Sequence, residues 1–415
     1  MAAPTIAVSE STGGRSRWIV VGLLTLGVII AYTSRVNLSA ALPEIRKSVP
    51  LTLASIGLLL SAFFWAYTLL QIPAGWIIDR FGIRWPYAAA MLFWSILSAA
   101  TALANTLGAL ILVRVLLGIG EAFVTPASIG YIRKHFPEHK RGLPVGIFMS
   151  GTKYGTAIGA PAATYLVLGY GWKWMFLICG AISLPLLALW LVLVGKEDDF
   201  RAAGKRDAGV STSWVALLRA PVMLGTCLGT FCYMYFVYFC MTWMPIFFHE
   251  RYGLSLMASG WFTFASFGGM ATVAIVSGAI ADFFISRGHN PVTVRRLFTI
   301  AGFILGCTEL FGALSGTSSM TLFWAVFSLC GLGLATANYW ALSQTLTPAN
   351  TAAQVAGIQN TAANLAGIAA PWITGILVEK TKHFEAPIIA IGIWLAIGVC
   401  CYVFLVQEKY ALVEF

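Results

Sequence analysis

Twelve apolar stretches, each about as long as a membrane-spanning helix, constrain this chain more than any other feature of its sequence. A helix needs about 20 residues to cross a hydrocarbon core of about 30 Å. The stretches occupy approximately residues 18–41, 52–77, 86–105, 107–131, 143–168, 174–194, 221–247, 258–284, 297–315, 320–345, 352–378 and 385–406. The sequence therefore predicts an all-α membrane protein with twelve transmembrane helices.

The composition agrees with lipid as the solvent of this chain. Of its 415 residues, 59% are hydrophobic and only 10% are charged, whereas soluble domains carry about 25% charged residues. The net charge of +10 lies mostly in short connectors and forms no basic stripe, which argues against nucleic-acid binding. The eight cysteines fall inside apolar stretches without ligand spacing, so we predict no metal site and no disulfide framework. No motif indicates a cofactor.

One long polar segment divides the helices six and six. We predict a cytoplasmic tail at 1–17, an N-terminal six-helix bundle at 18–194, a cytoplasmic linker at 195–220, a C-terminal six-helix bundle at 221–406 and a tail at 407–415. Two pseudo-symmetric bundles are typical of secondary transporters built from repeats.

The positive charges predict the orientation. Most loop lysines and arginines lie on the side that holds both termini, and six lie on the other side: Arg46, Lys47, Lys173, Arg251, Lys380 and Lys382. Positive loops stay in the cytoplasm. We therefore expect a multi-pass protein of the plasma (inner) membrane with both termini cytoplasmic.

A charged motif recurs at matching places in the two halves. Gly75-Trp-Ile-Ile-Asp79-Arg80-Phe-Gly82-Ile-Arg84 follows the second predicted helix, and Gly278-Ala-Ile-Ala-Asp282, with Arg287 after it, follows the eighth. An acid and bases at a helix end can pair with a neighbouring helix terminus, whose dipole adds to the attraction. We predict a conformational latch formed by Gly75, Asp79, Arg80, Arg84, Asp282 and Arg287. Ordinary loop charges are the alternative interpretation.

These motifs carry a resemblance to a known family. The motif at residues 75–84 resembles the signature loop of the major facilitator superfamily. The segment Arg114-Val-Leu-Leu-Gly118-Ile-Gly-Glu121 resembles its fourth-helix motif. Tyr32-Thr-Ser34-Arg35-Val-Asn37-Leu-Ser39 resembles the first helix of the anion:cation symporter family. That family includes bacterial permeases for sugar acids such as hexuronate, galactonate and glucarate, and the animal sialic acid and vesicular glutamate transporters. The resemblance implies the major facilitator fold and an organic-anion substrate.

Few ionisable residues lie inside the predicted helices, where each costs roughly 2.5–3.5 kcal/mol. They are Arg35, Arg114, Glu121, Lys153 and Glu309. The fork of Arg35 can hold a carboxylate through two hydrogen bonds, so we predict a substrate contact. Low dielectric favours the protonated form of a carboxyl group, so we predict Glu121 as the proton site with Arg114 as its modulator. The alternatives are an Arg35 bonded to backbone carbonyls and a structural ion-pair network around Glu121.

Lys153 lies about 15 Å deep in the fifth predicted helix, and we predict that it lines the cavity or pairs with an acid such as Glu121. For Glu309 we expect a packing or interfacial location. Hydroxyl, amide and indole groups at bilayer depth can bind the hydroxyls and carbon face of a sugar acid. The predicted substrate-binding residues are Arg35, Tyr32, Tyr67, Thr152, Lys153, Asn338, Trp340 and Asn360. For each polar one, hydrogen bonding between helices is the alternative.

The sequence predicts a proton-coupled symporter of a small organic anion, a sugar acid or another carboxylate, that works by alternating access and is not an enzyme. We expect a monomer whose partners are the anion, protons and membrane lipid. Many bacterial family members carry an acid where this chain has Ser34, so we predict fewer protons per anion than in those members. An uncoupled facilitator or anion exchanger, with Glu121 purely structural, is the alternative.

Overall fold

The computed structural model describes residues 14–136, 142–195, 217, 219–315, 317–348 and 352–412. Its long helices are α1 Gly14–Ile45, α2 Leu53–Phe81, α3 Arg84–Leu103, α4 Leu107–His135, α5 Gly142–Tyr170, α6 Trp172–Leu193, α7 Pro221–Thr242, α8 Leu256–Ser286, α9 Pro291–Gly306, α10 Ser318–Thr345, α11 Ala352–Thr381 and α12 Glu385–Leu405. Short helices at Met244–Tyr252 and Glu309–Leu314 follow α7 and α9. The described residues contain no strand, which confirms the all-α prediction. Most of the predicted linker, and the outer part of both predicted tails, lie outside the described residues.

Ten of these helices, within the described part of the chain, are long and apolar enough to cross a membrane. The other two, α5 and α9, correspond to the fifth and ninth predicted spans. Helix α5 has 29 residues, but Ser150, Thr152 and Lys153 lower its hydropathy, and it packs between α1 and α8. Helix α9 has 16 residues and is followed, after a turn, by Glu309–Leu314, where the prediction had one uninterrupted span.

Side-chain caps and prolines set several helix ends and bends. Thr52, Thr106 and Ser255 each accept a hydrogen bond from the backbone N–H three residues later, as N-cap residues do. Helix α4 is interrupted at residues 122–123, directly after Glu121. Pro126 explains this bend, because it has no N–H to donate to the carbonyl of residue 122.

The helices pack as two related bundles. Within the first six helices α1 packs against α5 and α2 against α4, and within the last six α7 packs against α11 and α9 against α10. Arg84, at the start of α3, donates to Leu191 O near the end of α6 at 2.9 Å. Arg296, near the start of α9, donates to Tyr402 O and Val403 O near the end of α12 at 2.8 and 2.7 Å. Arginine-to-carbonyl hydrogen bonds at matching positions show the pseudo-symmetry of the halves.

Two antiparallel helix pairs join the halves. Gly260 on α8 faces Pro161 on α5. Along the other pair, Gly57 on α2 faces Pro371 and Gly375 on α11, and further along Gln71 on α2 accepts a hydrogen bond from Asn360 on α11. These contacts lie at the interface between the bundles.

The halves are fastened together where α1, α7 and α11 end and α2 begins. There, Ser39 donates to Thr242 O, and Arg46 forms an ion pair with Glu250. Ala54 N donates to Glu379 Oε2 at 2.6 Å, which places a carboxylate at the positive end of α2. Between described residues, the hydrogen bonds and ion pairs that link the halves lie from this end to the level of the Gln71–Asn360 contact. The interface is therefore closed on one side.

The glycine contact between α2 and α11 gives a stability prediction. A Cβ on Gly57 would lie 2.6 Å from Pro371 O and 3.0 Å from Gly375 Cα, both backbone atoms. Overpacking of this kind costs about 1–3 kcal/mol. We expect Gly57→Val to lower the thermal denaturation midpoint of the purified protein by several degrees. Gly22→Val is the matched control, because no atom lies within 4 Å of that added Cβ; equal midpoints for both variants would contradict the packing.

Candidate functional site

A buried ion pair joins α1 to α4 in the first bundle. Arg35 Nε lies 2.8 Å from Glu121 Oε2, and Ser34 Oγ donates to Glu121 Oε1 at 2.6 Å. Glu121 is 0% exposed and Arg35 is 5% exposed. The sequence prediction placed these two residues at one site, and the structure brings them into direct contact. Both carboxylate oxygens of Glu121 therefore have a donor.

Three aromatic rings surround the guanidinium of Arg35. Its Cζ atom lies 4.3 Å from the ring centroid of Tyr32, 4.7 Å from that of Phe63 and 4.5 Å from that of Tyr67. A cation within about 6 Å of a ring face is attracted to it. Arg35 Nη1 is buried without a hydrogen-bond partner. The three rings hold the guanidinium in place, and its Nη1 group remains without a hydrogen-bond partner among the described residues.

Arg114 supplies a second positive charge beside this pair. Its Nη1 donates to the backbone oxygen of Ser34 at 3.4 Å, and its Nε and Nη2 are buried without a partner. Among the described residues no carboxylate lies within 4 Å of it. Arg114 therefore contributes positive charge that Glu121 alone does not pair.

Glycines bring the helices of this site together. A Cβ on Gly118 would lie 2.2 Å from Phe63 O, and one on Gly155 would lie 2.6 Å from Ile29 O. Only glycine permits such approaches, which draw α4 against α2 and α5 against α1. The site residues are thereby fixed by backbone contacts on either side.

Lys153 faces the second bundle. Its Nζ lies 5.9 Å from the ring centroid of Tyr233 on α7, and Tyr233 Oη shares a hydrogen bond with Thr336 Oγ1 at 2.7 Å. Within the described part of the chain it pairs with no carboxylate, so the expected partner Glu121 is not bonded to it. The sequence predicted that Lys153 lines the cavity or pairs with an acid. In the structure it lies at the interface between the halves and is not paired with Glu121.

The other predicted substrate residues divide into two groups. Thr152, Trp340 and Asn360 are half-buried, Thr152 Oγ1 donates to Met149 O at 2.7 Å, and Asn360 bonds to Gln71. Asn338 is fully buried and donates to Leu334 O at 2.9 Å. Asn338 therefore bonds within its own helix, whereas the first three keep some exposed surface and Asn360 contacts the other half.

The predicted latch residues occupy the opposite end from the closed contacts. Asp282 pairs with Arg295 at 2.9 Å, and the guanidinium of Arg287 lies over the ring of Phe283 instead. Arg80 lies over Trp76 and Phe81. A Cβ added to Gly75 would lie 3.9 Å from Pro126 Cβ, which is an ordinary van der Waals distance. Asp79 and Arg80 are exposed, and Arg84 anchors α3 to α6 as described above.

Phe63 is a member of this site that was not predicted from the sequence. It lies one turn before the predicted residue Tyr67 on α2, and the two rings stack at 5.2 Å. Their spacing indicates a shared helix face but not that Arg35 packs against it. Ser34 was considered only as a lost acid, although its hydroxyl binds Glu121. Glu309, predicted in packing, is buried and accepts a hydrogen bond from Ser328 at 2.7 Å. No group of His, Cys, Asp or Glu among the described residues could hold a metal ion.

With this geometry established, comparison with known proteins identifies the family. The model of the Major Facilitator Superfamily matches residues 24–371. The chain belongs to this superfamily. It is 30% identical over 400 residues to a probable L-galactonate transporter of Escherichia coli K12, covering 93% of this chain and 88% of that protein. It is 25% identical to the probable galactarate/D-glucarate transporter GarP of the same strain, covering 96% of each chain.

Solved structures support the superfamily fold. A bacterial homologue of the human lysosomal transporter Spinster, in an inward-facing and occupied conformation, matches with a TM-score of 0.78 and 17% identity. The match covers 97% of this chain and all of that one. The superfamily member described here is thus a multi-pass membrane protein of the major facilitator fold, as predicted.

The buried pair gives a second prediction. Glu121→Ala leaves Arg35 buried without a carboxylate, which we expect to cost about 3–5 kcal/mol of stability, whereas the double variant Arg35→Met, Glu121→Met should recover most of it. Urea or thermal denaturation of the purified protein measures both. Glu44→Ala, which breaks the surface pair Glu44–Lys47, is the control and should change little. An equal loss in the double variant would contradict the pairing.

Proposed function

We propose that this protein is a proton-coupled symporter that carries a sugar acid across the plasma membrane by alternating access. The observation that carries the proposal is the Arg35–Glu121 pair, caged by three rings, with Arg114 beside it and Lys153 at the interface between the halves. Neither of these two cations pairs with a carboxylate among the described residues, and positive groups in excess of the Glu121 carboxylate suit an anionic substrate. The relatives named for galactonate and galactarate/glucarate transport support sugar acids as the class.

Coupling follows from competition between two carboxylates for one guanidinium. While Glu121 is ionised, it holds Arg35 through Nε and is itself held by Ser34. When Glu121 takes up a proton, its attraction for Arg35 falls, and the fork is free to bind a substrate carboxylate bidentately. Loss of the proton on the other side restores the internal pair and weakens the hold on the substrate. Proton and anion therefore bind together and leave together.

The closed end of the interface fits one state of this cycle. If both termini are cytoplasmic, the contacts of Ser39, Arg46 and Ala54 with the second bundle lie on the outer side. The substrate site then communicates with the cytoplasm. Opening the outer side must break these contacts, and we expect the predicted latch around Asp79 and Asp282 on the inner side to form in that alternative state.

Glu121→Gln separates proton coupling from binding. Glutamine keeps the hydrogen bond from Ser34 but carries no charge, so it imitates the protonated carboxyl. In proteoliposomes with labelled galactonate, we expect this variant to retain counterflow exchange and to lose accumulation driven by a pH gradient. Arg35→Ala should lose both activities. Glu309→Gln, which alters a buried carboxyl bonded only to Ser328 among the described residues, is the matched control and should accumulate substrate normally.

Two outcomes would contradict the proposal. Substrate uptake that is unchanged by Glu121→Gln and by a protonophore would show an uncoupled facilitator or exchanger, in which Glu121 is structural. Arg35→Ala protein that folds normally and still transports galactonate would remove Arg35 from the substrate site.

A further inference from the structure

Lys153 is a cation at the interface between the halves, and the coupling mechanism leaves it unused. It belongs to the first bundle but reaches the Tyr233 ring of the second, and that ring is held by Thr336. The side chain is half-buried, and among the described residues no carboxylate lies within 4 Å of it. A half-buried ammonium without a partner at this depth is costly unless a ligand supplies one.

The packing of α5 on α1 fixes where Lys153 lies relative to Arg35. Gly151 faces Thr25 and Val28, and Gly155 faces Ile29 and Tyr32. The two helices therefore run parallel, and position 153 is level with about residue 28 of α1. Arg35 lies about seven residues further along α1, which corresponds to roughly 10 Å along the helix axis at 1.5 Å per residue. The two residues are thus displaced from each other along the helix axes.

Arg114 belongs to the Arg35 end of this arrangement. Its Nη1 donates to the backbone oxygen of Ser34, the residue next to Arg35, and it is 4% exposed. One end of the site thus carries two guanidinium groups and one carboxylate, and the other end carries one ammonium. A doubly charged anion offsets more of this excess than a singly charged one does.

We propose that the substrate is a dianion with a charged group at each end, an extended dicarboxylic sugar acid, held by Arg35 at one carboxylate and by Lys153 at the other. This inference rests on the proposed function and deepens it. Five carbon–carbon bonds of about 1.5 Å separate the carboxyl carbons of an extended six-carbon dicarboxylate by about 6–7 Å. With a contact of about 3 Å at each end, the molecule spans roughly 12–13 Å, which is long enough to bridge two residues displaced by roughly 10 Å along the helix axis.

A matched pair of ligands tests the inference. Galactarate and galactonate share their carbon chain and differ at one end, which is a carboxylate in the first and a hydroxymethyl group in the second. By titration calorimetry on the full purified chain, we expect galactarate to bind at least about tenfold more tightly. Lys153→Gln should weaken galactarate by about tenfold and change galactonate less than threefold, and Lys153→Arg should restore most of the preference.

Lys173→Gln is the control variant. Lys173 also lies over an aromatic ring, Trp172 at 5.4 Å, but it is exposed and near the beginning of α6. It should leave both affinities unchanged, and the denaturation midpoint without ligand verifies that each variant is folded. Equal affinity for both ligands, or equal weakening of both by Lys153→Gln, would overturn the dianion inference while the proposed function stands. Binding of neither ligand to the wild-type chain would instead count against the proposed function itself.

Discussion

The ion pair between Arg35 and Glu121 is the interaction on which the rest of the site depends. It lies in the membrane interior, where an uncompensated charge is expensive, and it is almost fully buried. Three rings and the Ser34 hydroxyl complete its surroundings. In the proposed mechanism, a substrate carboxylate replaces that of Glu121 at Arg35 when Glu121 becomes neutral. The proposal therefore links the protonation of Glu121 to the availability of Arg35.

The position of the Arg35–Glu121 pair in the fold matters for the proposed transport cycle, because the pair lies in one bundle and faces the other. Glycines at 118 and 155 let α4 and α5 approach their neighbours closely, so the first bundle holds the pair on a rigid frame. The second bundle contributes Tyr233 and the Asn360–Gln71 contact across the interface. In the proposed cycle, rocking of one bundle against the other changes access to the pair without rebuilding it, which is the general scheme of repeat-built transporters.

Much of the architecture could be predicted from the sequence, because hydrophobic length and the positions of loop charges are local properties. The all-α membrane fold followed from such patterns, and so did the recognition of Arg35 and Glu121 as ionisable residues inside apolar helices. The tertiary contacts of individual side chains could not be predicted in this way. Arg287 and Arg295 are both near Asp282 in sequence, and only packing selects Arg295. Asn338 and Asn360 look alike in an apolar stretch, yet helix rotation buries the first and leaves the second at the interface.

Proton uptake that accompanies anion binding is the central requirement of the proposed coupling. Adding a saturating sugar acid to purified protein in weakly buffered solution near neutral pH, and recording the pH change, measures this directly. The competition between carboxylates predicts uptake of up to one proton per anion bound, and no uptake in Glu121→Gln protein that still binds the anion. Binding without any proton uptake across the neutral range, or unchanged uptake in Glu121→Gln protein, would contradict it.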